Sequence, residues 1–285
     1  MSVRVLIASP VRRKPAILAE FLRGLGALDL SDAAGTRVSA DFAFVDDNDD
    51  PASAAMLRSW EPPCGSLRVI VPQGIPEQTY DAGNDYHRWG PELCRRVAAW
   101  RNHLAELARV DGYDAMLMVD SDLVLHPRTL TMMAGVGCDV LYEVFFTRFF
   151  DSSPWRCPNV WLWGECGQYR VYPTEPKSPT PAEVHRRSLE WFAELRQPGL
   201  HRVGGGGACT WISGKAMAAG LDWRPVTNLG WWGEDRWFQV RAEVLGFEQW
   251  ADSSCPPIHL YRESDLRALP LLRARQLKGG AAHVA

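Results

Sequence analysis

The chain has no long apolar run. Nothing in it approaches the ~20 consecutive apolar residues of a membrane-spanning helix. The strand-sized stretch from Val3 to Ala8 is followed at once by Arg12, Arg13 and Lys14, not by a signal-peptide core. Basic excess is also missing: 31 Lys and Arg stand against 34 Asp and Glu, a net charge of −3. That excludes a protein that reads nucleic-acid phosphates by bulk charge, while leaving room for a local basic pocket that takes one nucleotide. The seven cysteines show no close metal-ligand spacing; even Cys157 and Cys166 are too far apart for a CxxC pair. They read as reduced thiols packed in a cytoplasmic protein. There is no internal repeat and no low-complexity segment. The glycine run from Gly204 to Gly207 lacks the helix-opening GxGxxG order and the later ribose acid, so a dinucleotide motif is a poor fit.

What is present is a soluble globular composition of 285 residues, with 46% hydrophobic and 23% charged. That length allows one large or two small domains. It buries roughly 70–75% of the unfolded surface, so no covalent staples are needed.

The most informative stretch runs from Tyr113 to His126. Ala115 to Val119 is an apolar run of the length and character of a buried strand, and it ends in Asp120-Ser121-Asp122. In open α/β sheets ligands lie beyond the carboxyl ends of such strands. Residues i and i+2 of an extended chain point to one side, so Asp120 and Asp122 can face one ion. Hard divalent cations take oxygen ligands, and Mg²⁺ is commonly shared between carboxylates and substrate phosphates. The competing interpretation is a polar turn after a strand.

The rest of the first half reads β-α-β-α-β. Val3 to Ala8 is a strand, Ser9 to Lys14 a loop, and Pro15 opens a helix with Ile17, Leu18, Phe21, Leu22 and Leu25 on its apolar face. Val38 to Val45 is a second strand ending in Asp46 and Asp47, and Leu67 to Val71 a third. This pattern predicts a parallel, doubly wound sheet. The polar segment from Ile75 to Gly90 reads as a loop near the ligand. Pro91 opens a long helix to Val110 with Arg101-Asn102 in its middle, where an arginine ordinarily snorkels to the surface.

Asp151 to Pro181 has no clean period but carries Trp155, Trp161, Trp163 and six prolines, and a helix follows to Leu195. This insertion reads as the acceptor-binding part, its aromatics either stacking on a ligand or packing a small subdomain. Trp231-Trp232-Gly233-Glu234-Asp235 precedes a helical pattern. The two acids fall in a first helical turn, where they complement the dipole. The tryptophans before them suggest a walled pocket in which one acid is a base. His259 follows two prolines and reads as either structural or a ligand.

Taken together, these pieces resemble the GT-A glycosyltransferases, most closely the family-2-like inverting enzymes with a DxD motif. The resemblance covers most of the chain apart from Asp151 to Arg202. It implies an α/β GT-A fold: a Rossmann-like, mostly parallel central sheet flanked by helices, with an acceptor-side insertion. Residues 1–150 would be the nucleotide-sugar-binding half and 151–285 the acceptor-binding and catalytic half of the same domain. On the resemblance, Ser9, Pro10 and Arg12 form the nucleotide loop, and Asp46 and Asp47 the acid motif that contacts base and ribose. Arg101 lies near the nucleotide, and Asp120-Ser121-Asp122 is the DxD motif. Asp235, with Glu234 beside it, is the catalytic base, and His259 joins Asp120 and Asp122 at a metal. Trp231 and Trp232 wall the acceptor. Two departures stand out: Ser-Pro-Val-Arg-Arg in the first loop, and the richness of the glycine run.

The implied function is metal-dependent transfer of a sugar from a nucleotide-diphosphate donor, expected to be a UDP-sugar, to an acceptor hydroxyl with inversion. The enzyme would be hexosyltransferase-like, with Mn²⁺ favoured by His259 and Mg²⁺ as the alternative. Its partners would be the nucleotide sugar and a small-molecule, peptide or oligosaccharide acceptor, with no nucleic acid and no integral membrane segment. The rival classes are a nucleotidyltransferase of GT-A-like fold and a non-catalytic glycan- or sugar-nucleotide-binding module. The first would usually carry glycine in the loop after the first strand; the second needs no base.

Overall fold

The computed structural model describes residues 2–72, 82–83, 86–87, 90–148, 156–165, 167–172, 174–175, 178–229 and 233–277. Its centre is a nine-stranded sheet. Numbered along the chain, the strands are β1 (Ser2–Val11), β2 (Arg37–Asp46), β3 (Leu67–Ile70), β4 (Ala115–Val119), β5 (Val140–Glu143), β6 (Val160–Leu162), β7 (Leu200–Gly206), β8 (Cys209–Ser213) and β9 (Gln249–Asp252). Their order across the sheet is β6-β7-β9-β5-β8-β4-β1-β2-β3. The β4-β1-β2-β3 half is wholly parallel, as the β-α-β-α-β pattern predicts. Antiparallel pairs enter with β8, which lies between β4 and β5, and recur at β9-β7 and β7-β6, while β5 and β9 run parallel.

Both faces of the sheet are covered, which is why its central strands are continuous apolar runs rather than alternating ones. Along β1, Val5 and Ile7 face one core and Leu6 and Ala8 the other, all at most 1% exposed. The first core is closed by helices α1 (Pro15–Gly26), α2 (Pro51–Ser59) and α4 (Thr129–Val136). The second is closed by α3 (Pro91–Val110), α5 (Pro181–Leu195), α6 (Gly214–Ala218) and α7 (Glu234–Val244). A third, smaller cluster seats α8 (Leu269–Leu277) against Ile17 of α1. Strands from residues 1–150 and 151–285 share the one sheet, with β5 set between β8 and β9.

Local sequence explains the helix starts. Proline occupies the first turn of α1, α2, α3 and α5, where its missing N–H costs nothing. Thr180 and Glu183 form a reciprocal capping box on α5. The polar segment 75–90 lies almost wholly outside the described residues, as do Trp155 and the tail after Gly279. No helix among the described residues is long and apolar enough to cross a membrane.

Candidate active site

The site forms where β1 and β4 end. β1 continues to Val11, so Ser9 and Pro10 belong to the strand rather than to the loop the sequence suggested. Asp120, Ser121 and Asp122 follow β4 directly. The Asp120 N–H donates to the Ala208 carbonyl at 2.7 Å, and the Leu123 N–H closes a turn onto the Asp120 carbonyl at 3.2 Å. Ala208 has φ 69°, a left-handed conformation that a residue with a Cβ adopts only when its surroundings hold it there.

A short antiparallel ladder between Leu123–Val124 and Ile258–His259 brings the late histidine to the acid motif, and the Leu260 N–H donates to the Asp122 carbonyl at 2.8 Å. His259 Nε2 lies 3.3 Å from Asp122 Oδ2. Its Nδ1 is 2.7 Å from Thr147 Oγ1, a contact that fixes the ring's orientation. The Arg13 guanidinium also donates to Asp122 Oδ2, and the Arg13 backbone is pinned from both sides by Asn48 Oδ1 and Ser53 Oγ.

Arg101 is the hub. It projects from the middle of α3 and is 2% exposed, so it does not snorkel. Its Nη2 donates to Asp120 Oδ1 at 2.8 Å and its Nη1 to Asp235 Oδ1, with Glu234 Oε1 3.4 Å away. The next residue, Asn102, accepts from the Trp223 N–H at 2.7 Å, which locks α3 against the segment after α6. One guanidinium thus ties the acids after β4 to the acids that open α7.

Burial disfavours the Arg101 charge, but Asp235, Asp120 and Glu234 more than offset it and hold the group above its ordinary pKa. Desolvation raises Asp120, opposed chiefly by Arg101. Glu234 is 4% exposed; burial, opposed by Arg101 and reinforced by Asp235, pushes its carboxyl up to about 7.

That shift carries a stability prediction. A carboxyl raised from 4.5 to about 7 binds a proton in the folded state that the unfolded state has lost. Its contribution is therefore fully present below pH 4.5 and is lost as the pH rises through about 7, at up to about 1.4 kcal/mol per pH unit between those values. Glu234→Gln should flatten this slope between pH 5 and 7 in denaturant titrations. An unchanged slope in the variant would assign it to another group.

The acids converge on a cavity of about 720 Å³ whose walls include Arg13, Arg101, Asp120, Asp122, Glu234, Asp235 and His259. A narrower recess of about 70 Å³ adjoins it and is walled by Pro10, Arg12, Asp47, Arg101, Asp120 and Ser121 among others. Six of the residues expected around the nucleotide therefore share one recess, and those expected to do chemistry share the cavity beside it. Asp47 accepts from Arg96 and lies 3.9 Å from Arg12; burial raises its carboxyl despite Arg96. Asp46 and Ser9 wall neither space. Asp46 accepts from Arg58 at 2.7 Å and from the Asn48 amide at 2.8 Å, a structural tie, and the fully buried Ser9 hydroxyl donates to the Pro10 carbonyl. Trp231 and Trp232 lie outside the described residues.

The glycine run gains a physical reason. A Cβ on Gly207 would sit 2.1 Å from Asp235 Oδ2, and one on Gly204 would meet the Leu162 carbonyl oxygen at 2.6 Å. Only bare backbone lets α7 and β6 approach this closely. Asn159 ties the area together: its amide donates to the carbonyls of Glu143 and Gly207, and its Oδ1 accepts from the Phe145 N–H. Asn159, Thr147, Tyr261 and Trp161 also wall the cavity. Sequence reasoning missed Asn159, Thr147 and Tyr261 because they come from segments with no period. Only the aromatic richness of the insertion pointed to Trp161.

Asp122 and His259 place an oxygen and a nitrogen at a spacing compatible with two neighbouring ligands each ~2.1 Å from one ion. Among the described residues, no group of three His, Cys, Asp or Glu side chains converges on one point, and Asp120 Oδ1 is committed to Arg101. Asp122 Oδ2, the oxygen that faces His259, is likewise engaged by the Arg13 guanidinium.

No protein-family model matches this chain, and no curated protein sequence does. Among solved structures the chain is similar to a crystal structure of S. aureus TarS, with a TM-score of 0.45 and 12% identity. That alignment covers 95% of this chain and 38% of the TarS chain, so this chain spans well under half of that protein's length.

Proposed function

We propose that this protein is a glycosyltransferase of the GT-A type, moving a sugar from a nucleotide-diphosphate donor, a UDP-sugar in the simplest case, to an acceptor hydroxyl with inversion. One observation carries the reading: Arg101 joins the carboxylates after β4 to those at the start of α7 on the wall of a single cavity. A binding module has no use for a carboxylate set opposite a cation-rich recess.

In this reading the recess at Arg12, Asp47 and Ser121 takes the nucleoside, and Arg13 faces the diphosphate. Asp122 and His259 would hold Mn²⁺ or Mg²⁺, which when bound supplies Lewis-acid stabilisation of the leaving diphosphate. Asp120 positions Arg101 rather than acting as a direct ligand. Asp235, with more than a quarter of its side chain exposed and one oxygen fixed by Arg101, takes the proton of the acceptor hydroxyl as that oxygen attacks the sugar from the side opposite the leaving group.

The test is thermal and chemical stability against nucleoside diphosphates and their sugars, each with Mn²⁺, Mg²⁺ or EDTA. A ligand at 100 times its Kd stabilises by about 2.7 kcal/mol. UDP with Mn²⁺ should stabilise the wild type, and EDTA or Asp122→Ala should remove the metal-dependent part. Stabilisation by triphosphates alone would replace the proposal with a nucleotidyltransferase, and no response to any nucleotide would replace it with the glycan-binding module.

A further inference from the structure

A second, polar recess of about 60 Å³ opens beside His259, walled by Thr147, Arg148, Arg156, Tyr261, Arg262 and Asp265 among others. Thr147, Tyr261 and His259 also wall the main cavity, so the two spaces share a partition. Among the described residues its walls carry three arginines and a single carboxylate. Asp265 is already engaged, since its Oδ2 accepts the Arg262 backbone N–H at 2.8 Å.

The arginines are put there by the fold. Phe146–Thr147 and Cys157–Pro158 form an antiparallel ladder in which Cys157 opposes Thr147 and Pro158 opposes Phe146. The next position in that register sets Arg148 opposite Arg156. Like charges directly opposed across a ladder are destabilising. Arg262 is fixed nearby, its Nη1 donating to the Arg148 carbonyl at 3.1 Å. The Nε–H groups of Arg148 and Arg156 are buried and find no acceptor among the described residues. Burial lowers the Arg156 pKa and the neighbouring Arg148 adds to this, with Asp265 opposing both. Two half-buried guanidinium groups set opposite each other beside a polar cavity, each with a buried Nε–H that finds no acceptor, are stabilised by an anion with several acceptor oxygens, and the planar donor fork of arginine suits phosphate.

We propose that the recess between Arg148, Arg156 and Arg262 is a phosphate subsite. The phosphate comes either from the donor's diphosphate or from a phosphorylated acceptor. That assignment of source rests on the transferase reading, whereas the subsite itself does not.

The experiment is calorimetric titration of the full chain with inorganic phosphate, alone and with saturating UDP. Wild type should bind phosphate. Arg148→Gln and Arg156→Gln should each weaken it about tenfold or more, the size of a lost charge-assisted hydrogen bond, while Arg156→Lys, which keeps the charge, should bind more tightly than Arg156→Gln. Denaturant midpoints of all variants show that the fold is kept. Competition between UDP and phosphate would assign the recess to the donor diphosphate, and simultaneous binding would assign it to a phosphorylated acceptor. Absence of phosphate binding to wild type, or equal binding by wild type and both Gln variants, would overturn the subsite. None of these phosphate-only results depends on whether a nucleotide binds.

Discussion

Asp235→Asn should cut turnover by about 10²–10⁴-fold, the usual contribution of a positioned general base, while leaving the Kd for the donor nucleotide within about twofold of wild type, a change of about 0.4 kcal/mol. The asymmetry follows from geometry. Asp235 is not part of the wall of the recess that would take the nucleoside and reaches it only through Arg101. Asparagine keeps the size of the side chain and an oxygen for Arg101 to bind, so the wall of the cavity stays in place. What it loses is the ability to take a proton. Folding stability should not fall, because Arg101 faces three carboxylates and removing one eases the excess negative charge. Steady-state kinetics with donor titration and urea unfolding check all three statements. Turnover near the wild-type rate would remove Asp235 as the base. Glu234 is the alternative, but at 4% exposure it is less accessible to an acceptor.

The parallel half of the sheet was readable because its physics is local. Strands such as Ala115–Val119 are buried on both faces and so must be apolar at every position, and the helices between them show a 3.6-residue period with proline at their starts. Asp120 and Asp122 were readable for the same reason: an abrupt change from apolar to acidic at the end of such a strand marks where a sheet stops and a site begins.

Arg101 shows where local reading fails. On a helix with polar neighbours, an arginine's simplest environment is solvent, and only the approach of α7, more than 130 residues later, buries it. β7 was hidden for the opposite reason. Glycine is a poor strand former, yet Gly204 and its neighbours are in a strand because β6 and α7 press too closely for any Cβ. The cationic recess was equally invisible, since Arg148, Arg156 and Arg262 lie in irregular sequence and meet only through the ladder at Thr147 and Cys157.

Arg101→Met should destabilise the folded protein by about 3–5 kcal/mol at pH 8, the cost of breaking a buried charge pair by removing one partner. Methionine is close to arginine's aliphatic length and leaves little empty volume, so the loss reports charge rather than packing. Without the guanidinium, Asp120, Glu234 and Asp235 surround one point with no cation among them, and all three must either repel one another or take up protons. The carboxyls of Asp120 and Glu234, already raised by burial, then lose the cation that opposes that rise and go up further, so the variant's stability should fall more steeply with pH than that of wild type. The deficit should accordingly be smaller at pH 5 than at pH 8. Arg101→Lys should fall between the two, because a single ammonium cannot reproduce the fork that reaches Asp120 and Asp235 together. Urea titrations of the three proteins at both pH values measure this directly. A deficit below about 1 kcal/mol, of the size of a surface ion pair, or one equal at both pH values, would mean that the two acid motifs are held in place by their backbones and that Arg101 is not what joins them.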